Sequence, residues 1–410
     1  MKLVIYNLLI LILIPVFVLR ILVKSSTDSD YRKHFLNRFG YSLGSVVREN
    51  KKVIWFHAVS LGEVIGSEGI IRKLSEHFDV VITTTTPTGL RRAKQLFDDD
   101  VVINYAPWDF AVFINRFINF YKPDAILIFE TEIWPSMISR AFKKTIPLYL
   151  INGRLSKKSY QTYVMSSWFL KDILRQITFS FVQTNKHRER FLNLGVDQEK
   201  IKTVGSVKFD FSGLDVQPIE SNPFILGAST HPGEDEIILN AYNKFSRKQD
   251  FKLFLCPRHP ERAEKIAKQA SLMGFRAQLF SKLNSQTFDV CIIDKIGLLP
   301  SFYISSAMAF VGGSLVDTGC QNVLEPAALS LPILTGPSQY NFASICENLE
   351  RKGGLVTVKD ENQLTIELLK LLKDESLRHK MGMAARAVVN ENQGALPKLL
   401  DIIERRLTCI

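Results

Sequence analysis

A chain of 410 residues exceeds what one ordinary hydrophobic core supports and predicts two domains. Hydrophobic residues at 46% and charged residues at 23% describe a folded globular protein and exclude a disordered or fibrous one. Lys and Arg number 52 against 41 Asp and Glu, a formal charge of +11 that favours anionic partners: membrane lipid, nucleotide or phosphorylated substrate. Nucleic acid is set aside, because no recognisable nucleic-acid-binding motif accompanies the charge.

Residues 1–23 read as a membrane anchor. Leu3–Leu19 carries no charge, and Ile21–Val23 extends the apolar run past Arg20. That is just long enough to reach across a hydrocarbon core, with Pro15 a candidate kink. No small-x-small cleavage site follows Val23, which argues against a cleaved signal peptide. An interfacial helix is the other reading, although its polar face is poor. Lys24, Arg32, Lys33 and Arg38 follow the segment, whereas only Lys2 and the amino terminus precede it. The positive-inside bias therefore places the rest of the chain in the cytoplasm.

Beyond the anchor, short apolar strands alternate with helical stretches, the signature of parallel α/β sheets. Strands are predicted at Val53–His57, Val80–Thr84, Val101–Tyr105, Ala125–Phe129, Pro147–Ile151 and Phe179–Val182. Helices are predicted at Glu63–Phe78, Gly89–Phe97, Asp109–Tyr121, Pro135–Lys143 and Asn185–Leu194. The pattern pauses in a Gly-, Asp-, Pro- and Asn-rich stretch, giving a first domain at 24–213, a linker at 214–223 and a second domain at 224–410. Strands resume at Phe224–Ala228, Phe251–Cys256, Val290–Ile293, Met308–Val311 and Ile333–Thr335; helices Glu375–Asn392 and Leu396–Leu407 close the chain. Two doubly wound, Rossmann-like domains facing a cleft is the economical architecture, with ligands beyond the carboxyl ends of the strands. Five scattered cysteines (256, 291, 320, 346 and 409) form no C-x-x-C pair, which fits reduced cytosolic thiols and argues against a zinc site. No metal or other cofactor is expected.

The polar residues just after strands carry the chemistry. Val53–His57 runs into a glycine turn and Glu63, a carboxylate able to take a proton from a hydroxyl if its pKa is raised, or simply a first-turn helix acid. Thr83–Thr88 is a hydroxyl-rich turn suited to a sugar or phosphate pocket, or to a helix cap. Glu130–Pro135 (ETEIWP) places two acids, an aromatic plate and a proline at a strand end. Arg154 leaves the next strand and suits phosphate or carboxylate. Lys208, just before the linker, could face the cleft, although an isolated Lys is by default solvated.

In the second domain, Gly227–Gly233 offers hydroxyls and amides to a phosphate, and Arg258 in Pro257–Arg262 could form a fork to an anion. Gly312–Gly313–Ser314 stops a strand and reads as a loop that phosphate could approach closely, or as an ordinary βαβ turn. Glu325 heads the following helix, where it could accept from a ribose diol or complement the helix dipole. A hydrolase triad, zincin or P-loop motif is not found. A nucleotide-sugar site in one domain, with acids and hydroxyls in the other, describes a two-domain glycosyltransferase.

The ordered set HAVSLGEV, TTTTPTG, IFETEIWP, INGRLS, GSVKFD, GASTHPGE, PRHPER, GGSLVDTG and NVLEPAA resembles the 3-deoxy-D-manno-octulosonic acid (Kdo) transferases of lipopolysaccharide synthesis. The resemblance spans nearly the whole chain. It implies a glycosyltransferase B fold, transfer of Kdo from CMP-Kdo onto the lipid A precursor, and inner-membrane attachment with a cytoplasmic catalytic body. It further implies Glu63 as general base, and Glu130 and Lys208 as transition-state stabilisers. Pro257, Arg258, Ile296, Gly297, Leu298, Asn322, Val323, Leu324 and Glu325 become the CMP contacts. The basic balance then matches anionic substrates and an anionic membrane surface.

The family usually reads Gly-Gly-His-Asn-Pro-Leu-Glu-Pro where this chain has Gly319–Cys320–Gln321–Asn322–Val323–Leu324–Glu325–Pro326, and Gln321 cannot take a proton as His could. Two alternatives stay open from the residues alone. Another glycosyltransferase of this architecture, or a nucleotide-sugar epimerase, would share the second-domain loops. A non-enzymatic membrane-anchored scaffold would explain the anchor and the charge, but not the clustering of acids and arginines at strand ends.

Overall fold

The computed structural model describes residues 2–45, 51–97, 101–210, 223–245, 251–283 and 287–408. The chain forms two compact units, Met1–Phe211 with Gln393–Ile410, and Ser212–Asn392. The expected linker lies outside the described residues except for Pro223.

The first unit is built on seven parallel strands: β1 (Val53–His57), β2 (Asp79–Thr84), β3 (Val102–Tyr105), β4 (Ala125–Phe129), β5 (Leu148–Gly153), β6 (Phe179–Val182) and β7 (Ile201–Thr203). Their order, β3-β2-β1-β4-β5-β6-β7, reverses direction between β1 and β4, where doubly wound sheets place their ligands. β1 and β4 are buried at every position, because helices cover both faces of a parallel sheet. Helix Ala111–Tyr121 shows why the covering layers form: Ala111, Ile114, Ile118 and Tyr121 recur at helical spacing and are all buried.

The second unit repeats the plan with β8 (Phe224–Thr230), β9 (Leu253–Pro257), β10 (Ala277–Leu279), β11 (Val290–Ile292), β12 (Ser306–Val311), β13 (Ile333–Thr335) and β14 (Leu355–Thr357). The order is β10-β11-β9-β8-β12-β13-β14, again all parallel, with its reversal between β8 and β12.

One boundary differs from the sequence reading. The last helix, Ala395–Thr408, belongs to the first unit and not to a second domain running to residue 410. Leu399, Ile403 and Leu407 are buried in the core that contains Ile54, Ile70 and Leu74. The Asp210 carboxylate secures the return by accepting the amides of Gly394 and Leu396. Chain order alone could not reveal this, since no strand marks where the chain crosses back.

Helix Lys2–Lys24 leaves most of its apolar side chains exposed, Val4, Leu8, Ile12 and Leu19 among them. It is bound to the first unit along one flank. Lys2 pairs with Asp172 at 2.9 Å, and Tyr6 Oη donates to Asp109 Oδ2 at 2.8 Å. Asn7 Oδ1 accepts the Ala111 amide at 2.7 Å, Phe17 packs on Trp108, and Ile21 is buried. Asp109 also accepts the amides of Ser136 and Met137; burial pushes its carboxyl up to about 6, against the pull of these hydrogen bonds.

Candidate active site

At the carboxyl end of β1 the chain turns through Ala58–Ser60 into helix Leu61–Gly66. Ser60 Oγ caps this helix by accepting the Glu63 amide at 3.4 Å, and Glu63 Oε2 accepts the Val59 amide at 2.7 Å. The reciprocal bonds fix the carboxylate on its own turn. The predicted single helix Glu63–Phe78 is in fact two, Leu61–Gly66 and Glu68–His77, divided at Ser67. The threonine turn braces the same place. Thr84 and Thr85 hydroxyls donate to Val59 O, and Thr86 Oγ1 accepts the Gly89 amide, so the cap reading holds for Thr86 and two hydroxyls support Glu63's turn.

Glu130 follows β4 in a left-handed conformation (φ 63°), uncommon for a residue with a side chain and a mark of a constrained site. Its buried carboxylate pairs with Lys208 Nζ at 2.7 Å and Arg154 Nη2 at 3.5 Å. Lys208 therefore departs from the solvated default. It sits on the short turn Val207–Phe209, whose first amide is accepted by Asn152 Oδ1 at 3.2 Å. Asn152 ends near β5's terminus in a second left-handed conformation (φ 52°). A methyl group at Gly66 would come within 3.3 Å of Lys208 Cε, so Lys208 lies beside helix Leu61–Gly66.

Glu63, Glu130 and Lys208 are thus brought together. Burial pushes the Glu63 carboxyl up to about 8, reinforced by the charges of Glu130 and Glu132, while the Val59 amide and Lys208 pull it down. Glu132 accepts Trp134 Nε1 at 2.9 Å, and burial raises its pKa as well. Trp134 stands edge-on to the His57 ring, 4.5 Å between centroids. His57 is buried, bonded to Thr83 Oγ1, and pushed down to about 3 by burial, so it stays neutral. Asn152 and His57 were not singled out from sequence; a polar residue closing an apolar strand was the available signal.

In the second unit Pro257 ends β9, and the Arg258 amide donates to Thr230 O at 3.0 Å across to β8. The Arg258 side chain is exposed. Arg258 and Glu325 both act on the Cys256 thiol, which burial pushes up to about 11; Arg258 lowers it and Glu325 raises it. Glu325 Oε1 accepts Asn322 Nδ2 at 2.9 Å, and Asn322 Oδ1 accepts the Leu324 amide at 3.0 Å, so the acid is held at the head of helix Leu324–Ala328. Burial raises its pKa. Val323 and Leu324 are core side chains that can meet a ligand only through their backbone. Ile296, Gly297 and Leu298 form the loop after β11, with Ile296 87% exposed.

Of the two readings of the glycine loop, the phosphate loop finds no support in its hydrogen bonds. The amides of Gly313, Ser314 and Leu315 are taken at 2.7, 2.9 and 2.9 Å by the carboxylate of Glu234, which also accepts the His231 amide at 2.8 Å. Gly312 donates to Ala228 O. These donors are therefore not free for phosphate. Glu234 opens helix Glu234–Asn243, and nothing local in the sequence distinguishes it. Among the described residues no group of three or more His, Cys, Asp or Glu is arranged to hold a metal ion, and Cys256, Cys291, Cys320 and Cys346 are reduced thiols.

Three comparisons bear on this arrangement. The family model described as 3-Deoxy-D-manno-octulosonic-acid transferase (kdotransferase) matches residues 33–211. A 3-deoxy-D-manno-octulosonic acid transferase of Haemophilus influenzae is 34% identical, covering 97% of this chain and 97% of its own. Two solved structures share the fold. A glycosyltransferase from Rickettsia africae is 14% identical, with a TM-score of 0.55 over 87% of this chain and 98% of that one. A UDP-GlcNAc 2-epimerase from Neisseria meningitidis, bound to UDP-GlcNAc, is 16% identical, with a TM-score of 0.57 over 86% of this chain and all of its own (100%). The two parallel-sheet units have the glycosyltransferase B architecture.

Proposed function

The chain belongs to the 3-deoxy-D-manno-octulosonic acid (Kdo) transferases, a family of glycosyltransferases, and from that premise we propose that it transfers Kdo from CMP-Kdo to the lipid A precursor. The observation that carries the mechanism is the meeting of Glu63, Glu130 and Lys208 at the ends of β1 and β4. Glu63 is the general base. A carboxyl raised to about 8 is a far better proton acceptor than an ordinary glutamate, and its bond to Val59 aims it. It removes the proton from the attacking sugar hydroxyl.

Departure of CMP leaves positive charge on the keto-sugar centre and negative charge on the phosphate. Glu130 and Lys208, an acid and a cation locked in one pair, stabilise these developing charges. In the second unit Arg258 holds the phosphate and Glu325, oriented by Asn322, accepts from the ribose hydroxyls. Pro257 and the Ile296–Leu298 and Val323–Leu324 backbones complete the CMP contacts. One displacement inverts the anomeric centre and needs no enzyme nucleophile.

The exposed apolar helix Lys2–Lys24 attaches the enzyme to the inner membrane, with both units on the cytoplasmic side where the anionic surface and lipid acceptor lie. Incubation of the purified enzyme with CMP-Kdo and the tetraacyl lipid A precursor tests the reading by product mass. A gain of Kdo is expected; turnover with a UDP-sugar and none with CMP-Kdo would overturn it.

A further inference from the structure

We propose that Glu234 is a positioning residue for the donor: its carboxylate is a resident anion that fills the amide nest after β12 and so sets the loop bearing Gln321, Asn322 and Glu325. The inference rests on the CMP-Kdo reading above. Glu234 is completely buried, yet its two oxygens accept four backbone amides from two segments, His231 after β8 and Gly313–Leu315 after β12. β8 and β12 flank the sheet's reversal point. Successive amides that converge on one point make an anion site, which here is satisfied from within.

The surroundings leave no slack. A methyl group at Gly312 would come within 2.9 Å of Glu234 Oε2 and 2.6 Å of Ser229 O. From the nest the order propagates by hydrogen bonds. Gly312 O accepts the Gln321 amide at 2.9 Å, and Gly313 O accepts Thr318 Oγ1 at 3.1 Å. Ser314 Oγ accepts the Gly336 amide at 2.7 Å, and Ser314 O accepts the Ser338 amide at 2.9 Å. The Gln321 side chain reaches the His231 ring at 3.4 Å, closing the circuit back to β8. Asn322, which orients Glu325, is the next residue along. Because the nest is filled, the donor phosphate is left to side chains such as Arg258; with the nest emptied, the loop would lose its anchor.

The test uses the full-length protein in detergent, with CMP as the probe for calorimetric titration and separate KM measurements for CMP-Kdo and acceptor. Wild type binds CMP. Glu234→Ala and the isosteric Glu234→Gln are expected to bind it about tenfold more weakly, because buried amides lose their acceptor. The KM for CMP-Kdo rises while that for the acceptor stays put. Formate, but not chloride at equal ionic strength, restores CMP binding to Glu234→Ala by refilling the nest. If Glu234→Ala does not fold by circular dichroism, Glu234→Gln decides. Wild-type CMP affinity in the folded variant overturns the inference and leaves the transferase reading intact. Weakening of both substrates alike, or no rescue by formate, reduces Glu234 to a packing residue and also overturns it. A wild type that fails to bind CMP sinks the donor reading itself.

Discussion

Glu63 is held between burial and two neighbouring acids, which favour its proton, and the Val59 amide and Lys208, which favour its charge. The balance leaves its folded pKa well above the value of an unfolded glutamate, so the folded state keeps this proton between about pH 4.5 and 8. Activity through the basic form should rise about tenfold per pH unit and level off near pH 8, a pH profile that Glu63→Gln abolishes together with turnover. Stability runs the other way. The contribution of the protonated group is full below the unfolded pKa and is lost as pH rises through 8. Glu63→Gln is therefore expected to be more stable than wild type above pH 8, by about 1–2 kcal/mol after solvent screening, with no advantage near pH 4; denaturant melts at the two pH values check this. Lys208→Met has the opposite sign. It leaves the buried Glu130 with the longer Arg154 pair, and should cost about 2–4 kcal/mol in urea unfolding.

At the scale of elements, four strands (β1, β4, β6 and β13) follow the sequence pattern to the residue, because a parallel strand buried on both faces is a continuous apolar run. β7, β10 and β14 are not legible in the same way. Ile-Lys-Thr, Ala-Gln-Leu and Leu-Val-Thr are three-residue edge strands with few buried side chains, and pairing with a neighbour, not composition, makes them strands. The site divides along the same line. Glu63 and Glu130 could be read because a polar residue after an apolar run marks a strand end; Lys208 stood out only by its place before the linker and by the family resemblance. Glu234 could not, because three of its four amide partners lie about 80 residues away in sequence. The closing helix Ala395–Thr408 was legible as a helix but not as part of the first unit, for the same reason of distance. Its role there has a measurable weight. Leu399→Ala should cost about 2–5 kcal/mol, and truncation after Asn392 should leave the first unit unable to give a cooperative melt, while CMP binding by the second unit checks that the loss is local.

The whole molecule joins a basic body to an apolar helix that protein already covers along one flank, from Lys2 to Ile21. A lone spanning helix would be bathed in lipid on all sides; a flanked one leaves an apolar face exposed, Val4, Leu8, Ile12 and Leu19 among it, which on the membrane reading proposed above would face the acyl chains. Deleting residues 2–24 is expected to move the protein from the membrane pellet to the supernatant and to lower transfer to bilayer-borne acceptor, with CMP affinity unchanged. Persistence in the pellet would show that other surfaces suffice. Tyr6 Oη donates to Asp109, and Asn7 Oδ1 accepts from the Ala111 amide and from Ser136 Oγ, so the helix is bonded directly to the first unit. The lipid acceptor proposed above would meet an enzyme seated in this way by lateral diffusion in a plane. Its effective concentration would then be a number per area of bilayer, so inert lipid is expected to dilute the reaction even when the bulk molarity of every component is held constant.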